Sequence, residues 1–184
     1  EFGKGGANTF HFGEPRNPWN PGHTPASSSS GSGIAPAACL CSFSIGEDTG
    51  GSVRGPAWAS GLAGIRPTFG RVSRYGGFMY AYTQDTFGPL TRTVEDNALV
   101  LSVIAGHDPK DPLTGSEAVP DYAAGLNGDL SGVRIGIVRE LSRDLELHPD
   151  VQTAFDTALQ ILVGHGAVTQ DVSLPWAKYC VPRQ

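Results

Sequence analysis

The chain is short of clustered basic residues, of cysteine and of long apolar runs, and each shortage removes a class of protein. Its 13 Lys and Arg are scattered and outnumbered by 18 Asp and Glu, giving a net charge of -5. Phosphate recognition draws on clustered Lys and Arg, so no direct nucleic-acid partner is expected. No stretch approaches the about 20 apolar residues of a membrane span, so no membrane partner is expected either. Three cysteines, Cys39, Cys41 and Cys180, cannot close a disulfide framework. So sparse a set points to a reducing compartment, and the expected location is cytoplasmic. Cys39 and Cys41 lie in an apolar stretch and read as small buried side chains. A metal pair would need the usual two-residue gap and a second ligand pair, so no metal and no cofactor are expected. The chain opens at Glu1 without an initiator Met or a secretory leader, as a piece of a longer protein would.

Glycine and proline are abundant. With 25 Gly and 14 Pro among 184 residues, many turns and few long helices are expected. The length and the 39% hydrophobic content allow one sizeable core.

Residues 1–33 are rich in Gly, Pro, Asn and Ser, the composition of a flexible arm. Phe10, Phe12 and Trp19 argue instead for an ordered loop laid over a core. Residues 34–45 form a small, apolar, buried element whose length does not separate helix from strand. Pro36 suits the first turn of a helix that starts after the serine-rich run, with a short strand from about Cys41 to Ile45. A short helix is expected from Pro56 to Leu62 and an extended piece from Ala63 to Pro67. Thr93 caps a helix with Glu95 and Asp96 in its first turn and Gly106 at its end; Val94, Ala98, Leu101 and Ala105 share one face. A loop punctuated by Pro109, Pro112 and Pro120 runs to about Gly132, long enough to mark a linker or insertion. Val133–Val138 then reads as a strand, Asp150–Val163 as an amphipathic helix stopped by Gly164 and Gly166, and Ala167–Leu174 as a strand. Strand, helix, strand in that order implies a parallel crossover and an α/β class.

Chemistry concentrates in Gly46-Glu47-Asp48-Thr49-Gly50-Gly51-Ser52-Val53-Arg54-Gly55-Pro56. A Gly-Gly-Ser turn leaves main-chain N–H groups uncovered beside a hydroxyl, which is what acyl transfer asks of a nucleophile and its oxyanion donors. An anion-binding turn or a tight sheet corner fits the same residues. The Gly-x-Ser-x-Gly elbow of other hydrolases is absent, because Arg54 stands two after Ser52. A serine needs a base. His11, His23, His107, His148 and His165 are the imidazoles available, and none sits in a partner motif. The second unusual run, Ala26-Ser27-Ser28-Ser29-Ser30-Gly31-Ser32-Gly33, has the composition of a linker, but it directly precedes the apolar element.

Asn17-Pro18-Trp19, the Ser28–Ser32 run, Gly46–Ala57, Gly61–Gly76, Asp85 and Gly88–Asp96 together resemble the amidase signature family, densely over residues 1–110 and loosely over 111–184. The resemblance implies an α/β/α sandwich around a mixed sheet, present here as a single partial domain with a signature core and a looser α/β extension. It implies a Ser–cisSer–Lys triad, with Ser52 the nucleophile, Ser28 the bridging serine in a cis peptide, and the N–H groups of Thr49, Gly50, Gly51 and Ser52 the oxyanion hole. The acyl-enzyme would be hydrolysed by water, releasing a carboxylic acid after ammonia or an amine. The family's lysine lies upstream of Glu1; Lys4, Lys110 and Lys178 do not stand in its place. Ala26 and Ser27 occupy positions where the family carries glycine, and accept unusual backbone angles less readily. Tyr82 stands where many relatives carry a small residue, so Tyr80 and Tyr82 are candidates to line the acyl pocket, with surface or core aromatics the alternative. The implied partner is a small-molecule amide, and a homodimer is allowed for. Two further readings stay open: the glutaminase-type subunit of a tRNA-dependent amidotransferase, and a catalytically incomplete remnant that cradles an anion.

Overall fold

The computed structural model describes residues 13–142 and 146–179. The chain divides into two compact units, Glu1–Leu126 and Asn127–Gln184, and the division falls within the long proline-marked loop. The fold is α/β. The expectations placed on Phe10, Phe12, His11, Lys4 and Cys180 fall outside the described residues.

The first unit holds α1 (Ser30–Ala37), β1 (Phe43–Asp48), α2 (Arg54–Ser60), β2 (Ala63–Gly64), β3 (Thr86–Thr91) and α3 (Val94–Ile104). Its sheet is antiparallel, in the order β1-β3-β2, with Phe43 opposite Thr91 and Asp48 opposite Thr86. The central strand β3 carries Gly88-Pro89, which reads locally as a turn. It forms because Gly88 lets the chain pass where no side chain fits: a Cβ there would stand 2.0 Å from the Ile65 carbonyl oxygen. Asn97 of α3 then ties the strand to its neighbour, its amide donating to Ala63 O at 3.0 Å, Pro89 O at 3.2 Å and Thr91 Oγ1 at 3.2 Å. As the sequence indicates, the Thr93 hydroxyl caps α3 by accepting from Asp96 N at 3.0 Å.

α1 corrects one expectation. It begins at Ser30 inside the serine-rich run, so Pro36 falls in its last turn rather than its first. Proline has no N–H to offer the Ser32 carbonyl four residues back, and that carbonyl accepts the Ser44 hydroxyl instead. The helix closes with Cys39 N donating to Pro36 O and Leu40 N to Ala35 O, the paired bonds of a Schellman turn. Cys39 takes the left-handed position with φ 58°. This early closure is why Cys39 is exposed and Cys41 half-buried, not the buried pair expected. Leu40 and Phe43 are exposed as well.

A buried apolar cluster of Val53, Ala57 and Leu90, with Leu62 against it, sits between α2 and the sheet. That is smaller than the composition promised, since many large apolar side chains, Trp58 and Val103 among them, lie on the surface. Trp19 is also exposed rather than laid over the core, and acts through its indole N–H.

The second unit pairs β4 (Arg134–Val138) with β5 (Val168–Val172) in parallel across α4 (Pro149–Gly164), the crossover read from the sequence. No residue of α4 is fully buried, so its apolar face is only partly covered.

Candidate active site

The Gly-Gly-Ser turn joins the end of β1 to the start of α2, and Asp48 builds the joint. Its carboxylate is fully buried. Oδ1 accepts from Gly51 N at 2.7 Å, and Oδ2 accepts from Val53 N at 3.1 Å and Arg54 N at 3.3 Å. Those of Val53 and Arg54 are N–H groups that the start of α2 leaves without intrahelical partners, and that of Gly51 belongs to the turn before it. Arg54 Nε and Nη2 add two bonds at 3.1 Å each, and Arg66 Nε approaches to 3.5 Å. Burial by itself would raise the Asp48 carboxyl. The Arg54 guanidinium and the N–H groups of Val53, Gly51 and Arg54 outweigh it and hold the carboxyl below its ordinary 3.8.

The other end of α2 is pinned by the segment before the serine run. Asn17 Nδ2 donates to Ala59 O at 2.7 Å, and Trp19 Nε1 donates to Ser60 O at 2.7 Å. Both acceptors are terminal helix carbonyls that lack intrahelical partners. The helix whose N-terminus follows Ser52 is thus fixed at both ends.

The serine-rich run is structural rather than a linker. Ser29 Oγ donates to Glu47 O at 3.2 Å and accepts from Glu47 N at 3.1 Å, bonding to the edge of β1 as a strand would. Ser32 Oγ donates to Ile45 O at 2.9 Å and Ser30 Oγ to Ala26 O at 2.7 Å. Gly46 makes this approach possible, since a Cβ there would lie 2.8 Å from Ser29 Oγ and 3.0 Å from Val53 Cγ2. The seam carries Ser29 N to within 3.2 Å of Ser52 O. The Ser27–Ser28 peptide bond is cis, and Ala26 before it has φ 55°.

Both singled-out serines, Ser28 and Ser52, are partly exposed, and among the described residues neither hydroxyl has a hydrogen-bond partner. Within the same limit, the N–H groups of Thr49, Gly50 and Ser52 are unpartnered. The fourth expected donor is not free: Gly51 N is taken by Asp48. No described histidine is bonded to either serine. His107 Nδ1 contacts Thr114 Oγ1 at 3.2 Å, His165 Nδ1 contacts Gly128 O at 2.9 Å, His148 caps α4, and His23 is exposed. The Lys110 ammonium lies 5.1 Å from the centre of the Tyr75 ring. Among the described residues no cluster of His, Cys, Asp and Glu could hold a metal, and no helix is long and apolar enough to cross a membrane.

Tyr80 and Tyr82 lie on an exposed loop with their rings largely in solvent. Two buried groups hold that loop. Asp85 Oδ2 accepts from Tyr80 N at 2.5 Å and Ala81 N at 2.7 Å. Arg74 donates to Tyr82 O at 2.5 Å, with its guanidinium 5.2 Å from the Tyr82 ring centre and 4.4 Å from that of Phe69. Asp85 also accepts the Thr49 hydroxyl at 2.6 Å, so the loop and the Gly-Gly-Ser turn share one anchor. The sequence offered a signal for Asp48, an acidic residue just before a glycine turn that opens a helix. Asp85 stood out in the sequence only as part of the family resemblance, and its bond to Thr49, 36 residues away, had no local signal.

Residues 2–184 match the family model described as Amidase, and the chain belongs to that family. It is 49% identical over 170 residues to a glutamyl-tRNA(Gln) amidotransferase subunit of Geobacter metallireducens, covering 92% of this chain and 35% of that protein. Among solved structures it resembles the Thermotoga maritima subunit of the same name, with a TM-score of 0.83 at 36% identity, covering 89% of this chain and 36% of that one. It likewise resembles the native peptide amidase of Stenotrophomonas maltophilia, with a TM-score of 0.78 at 38% identity, over 91% and 36% of the two chains. The chain spans about a third of the length of the curated relatives it matches.

Proposed function

We propose that this chain carries the nucleophile-bearing part of an enzyme that cleaves carboxylic amides. Ser52 Oγ attacks the amide carbon, and the oxyanion is received by the N–H groups of Thr49, Gly50 and Ser52. Ser28 relays the proton from Ser52 to the departing amine. Water then cleaves the acyl-enzyme to the acid. The observation that carries the reading is the Ser29 N–Ser52 O bond at 3.2 Å, which ties the cis-Ser28 segment to the serine of a turn whose Thr49, Gly50 and Ser52 N–H groups are unpartnered among the described residues. Gly51 leaves the donor set, because its N–H serves the Asp48 carboxylate. The lysine of the triad comes from a segment outside these 184 residues. Tyr80 and Tyr82 flank the acyl site on the loop that Asp85 anchors.

Within this chemistry, a glutaminase-type protein that hands ammonia to an amidotransferase is favoured by relatives named as glutamyl-tRNA(Gln) amidotransferase subunits, at 46 to 49% identity. A fluorophosphonate probe, applied to the longer protein that supplies the lysine, is expected to phosphonylate Ser52 with loss of fluoride and to leave Ser52→Ala unlabelled. Labelling that survives the substitution overturns the nucleophile. Anion binding without any labelling replaces the enzyme with an anion-binding remnant. Release of ammonia from glutamine compared with simple alkyl and aryl amides separates the glutaminase from a general amidase.

A further inference from the structure

A hydroxyl carries one proton, and Thr49 Oγ1 lies between two carboxyls, 3.0 Å from Glu47 Oε1 and 2.6 Å from Asp85 Oδ1. With both carboxyls ionised, Thr49 could donate to only one, and the other contact would set two lone-pair oxygens face to face. Asp85 is the fixed acceptor. It is fully buried, and its second oxygen already receives Tyr80 N and Ala81 N. The donation therefore runs from the Glu47 carboxyl to Thr49, and from Thr49 to Asp85.

The charges around Glu47 favour the same order. Asp85 and Asp48 are both negative. The nearby cations, Arg54 and Arg66, face Asp48 at 3.1 and 3.5 Å. Neither β3 nor α1, packed on either side of β1, carries an ionisable side chain. Burial, the Asp85 charge, a direct side-chain hydrogen bond with Asp85 and the Asp48 charge raise the Glu47 carboxyl above 4.5, and donation from the Thr49 hydroxyl to a Glu47 carboxylate would pull the other way. Burial would also raise Asp85, but the Thr49 hydroxyl and the N–H groups of Ala81 and Tyr80 hold it below 3.8.

We propose that Glu47, Thr49 and Asp85 form a one-proton relay that positions the Thr49–Ser52 turn against the Tyr80–Tyr82 loop, and that the relay is complete only while Glu47 is protonated. All three are positioning residues in this role, which lies apart from any donation by the Thr49 main chain. The inference rests on the reading of that turn as the oxyanion-binding loop. Deprotonation of Glu47 replaces its hydrogen bond to Thr49 with repulsion between lone-pair oxygens, which loosens the turn on its β1 side while the Thr49–Asp85 bond remains.

Carboxyl 13C NMR of the 184-residue protein, titrated from acid through alkaline pH, tests this without activity. Glu47 is expected to titrate above the ordinary glutamate range, and the amide resonances of Thr49, Gly50 and Ser52 to move with the same midpoint. In Asp85→Asn the new amide can donate to Thr49, which then donates to a Glu47 carboxylate, so the Glu47 midpoint falls. In Glu47→Gln the side-chain amide keeps donating to Thr49, so the turn resonances lose their pH dependence and stay at their acid-side positions. Should Asp85→Asn unfold, Glu47→Gln decides alone. Titration of Glu47 in the ordinary range, or turn resonances that move with pH unchanged in Glu47→Gln, overturns the relay. Fluorophosphonate labelling of the longer protein, with its lysine-bearing segment present, separates the two readings. Co-titration without labelling of Ser52 removes the hydrolase and keeps the relay, whereas labelling without co-titration removes the relay and keeps the hydrolase.

Discussion

The main-chain N–H of Ser29 donates to the main-chain carbonyl of Ser52 across 3.2 Å. One bond thus joins the serine-rich run to the glycine turn, and the neighbouring hydroxyls divide their labour around it. Ser29 spends its hydroxyl on the Glu47 main chain, while that of Ser28 has no partner among the described residues.

That division predicts opposite outcomes for adjacent substitutions. Ser28→Ala is expected to change stability by no more than about 0.5 kcal/mol and to slow fluorophosphonate labelling of Ser52 roughly 100-fold or more. Ser29→Ala removes two bonds to Glu47 and is expected to cost about 1–2 kcal/mol. Urea unfolding and labelling rates, measured on both variants, check the contrast.

Gly46→Ala probes the same seam from the strand side. The new Cβ would stand 2.8 Å from Ser29 Oγ and 3.0 Å from Val53 Cγ2. Relief requires the serine run to move off β1, so a loss of about 1–3 kcal/mol is expected, with slower labelling of Ser52. Unchanged labelling in a destabilised Gly46→Ala protein would show that the seam supports the fold without setting the site.

Asp48→Asn is expected to cost about 2–3 kcal/mol, toward the low end for a broken buried pair because the Arg54 side chain is 53% exposed. The wild-type pH dependence has a definite sign. Asp48 and Asp85 are both held below 3.8, so their contribution is complete above that value and is lost as pH falls through the lower folded-state values. Glu47, raised above 4.5, acts oppositely: its contribution is complete below that value and fades as pH rises through its folded value. Melting temperature followed into acid should therefore fall less steeply in Asp48→Asn than in the wild type.

Cys39→Gly is expected to stabilise. Cys39 holds the left-handed C-terminal position of α1 at φ 58°, a conformation that costs a side-chain-bearing residue about 1–2 kcal/mol. Glycine removes that cost but gains freedom in the unfolded chain, so a net gain of up to about 1 kcal/mol is anticipated in urea unfolding.

Parts of the fold written in local signals were legible. Thr93 before Glu95 and Asp96 marks a helix start because a hydroxyl and two acids complement unpaired N–H groups within one turn, and the structure caps α3 there. The alternation that gives β4, α4 and β5 is equally local, since each period reports its own element. Elements defined by what lies across from them were not legible. β3 contains Gly88 and Pro89, and it becomes the central strand only because β1 and β2 flank it and the Ile65 carbonyl needs the space a side chain would fill. The serine-rich run has a linker's composition, and only the edge of β1 turns its hydroxyls into a seam.

The sequence by itself determined the chemical alphabet of the site: Ser52 beside a glycine turn, Ser28 in a run of small residues, and two acidic residues, Glu47 and Asp48, just before the turn. The tertiary structure alone decided which groups remain available. It assigned Gly51 N to Asp48, left Thr49, Gly50 and Ser52 unpartnered among the described residues, and set Asp85 against Thr49. The physical reason is valence. Each donor and acceptor has few bonds to give, and partners tens of residues distant in sequence decide which of them are already spent.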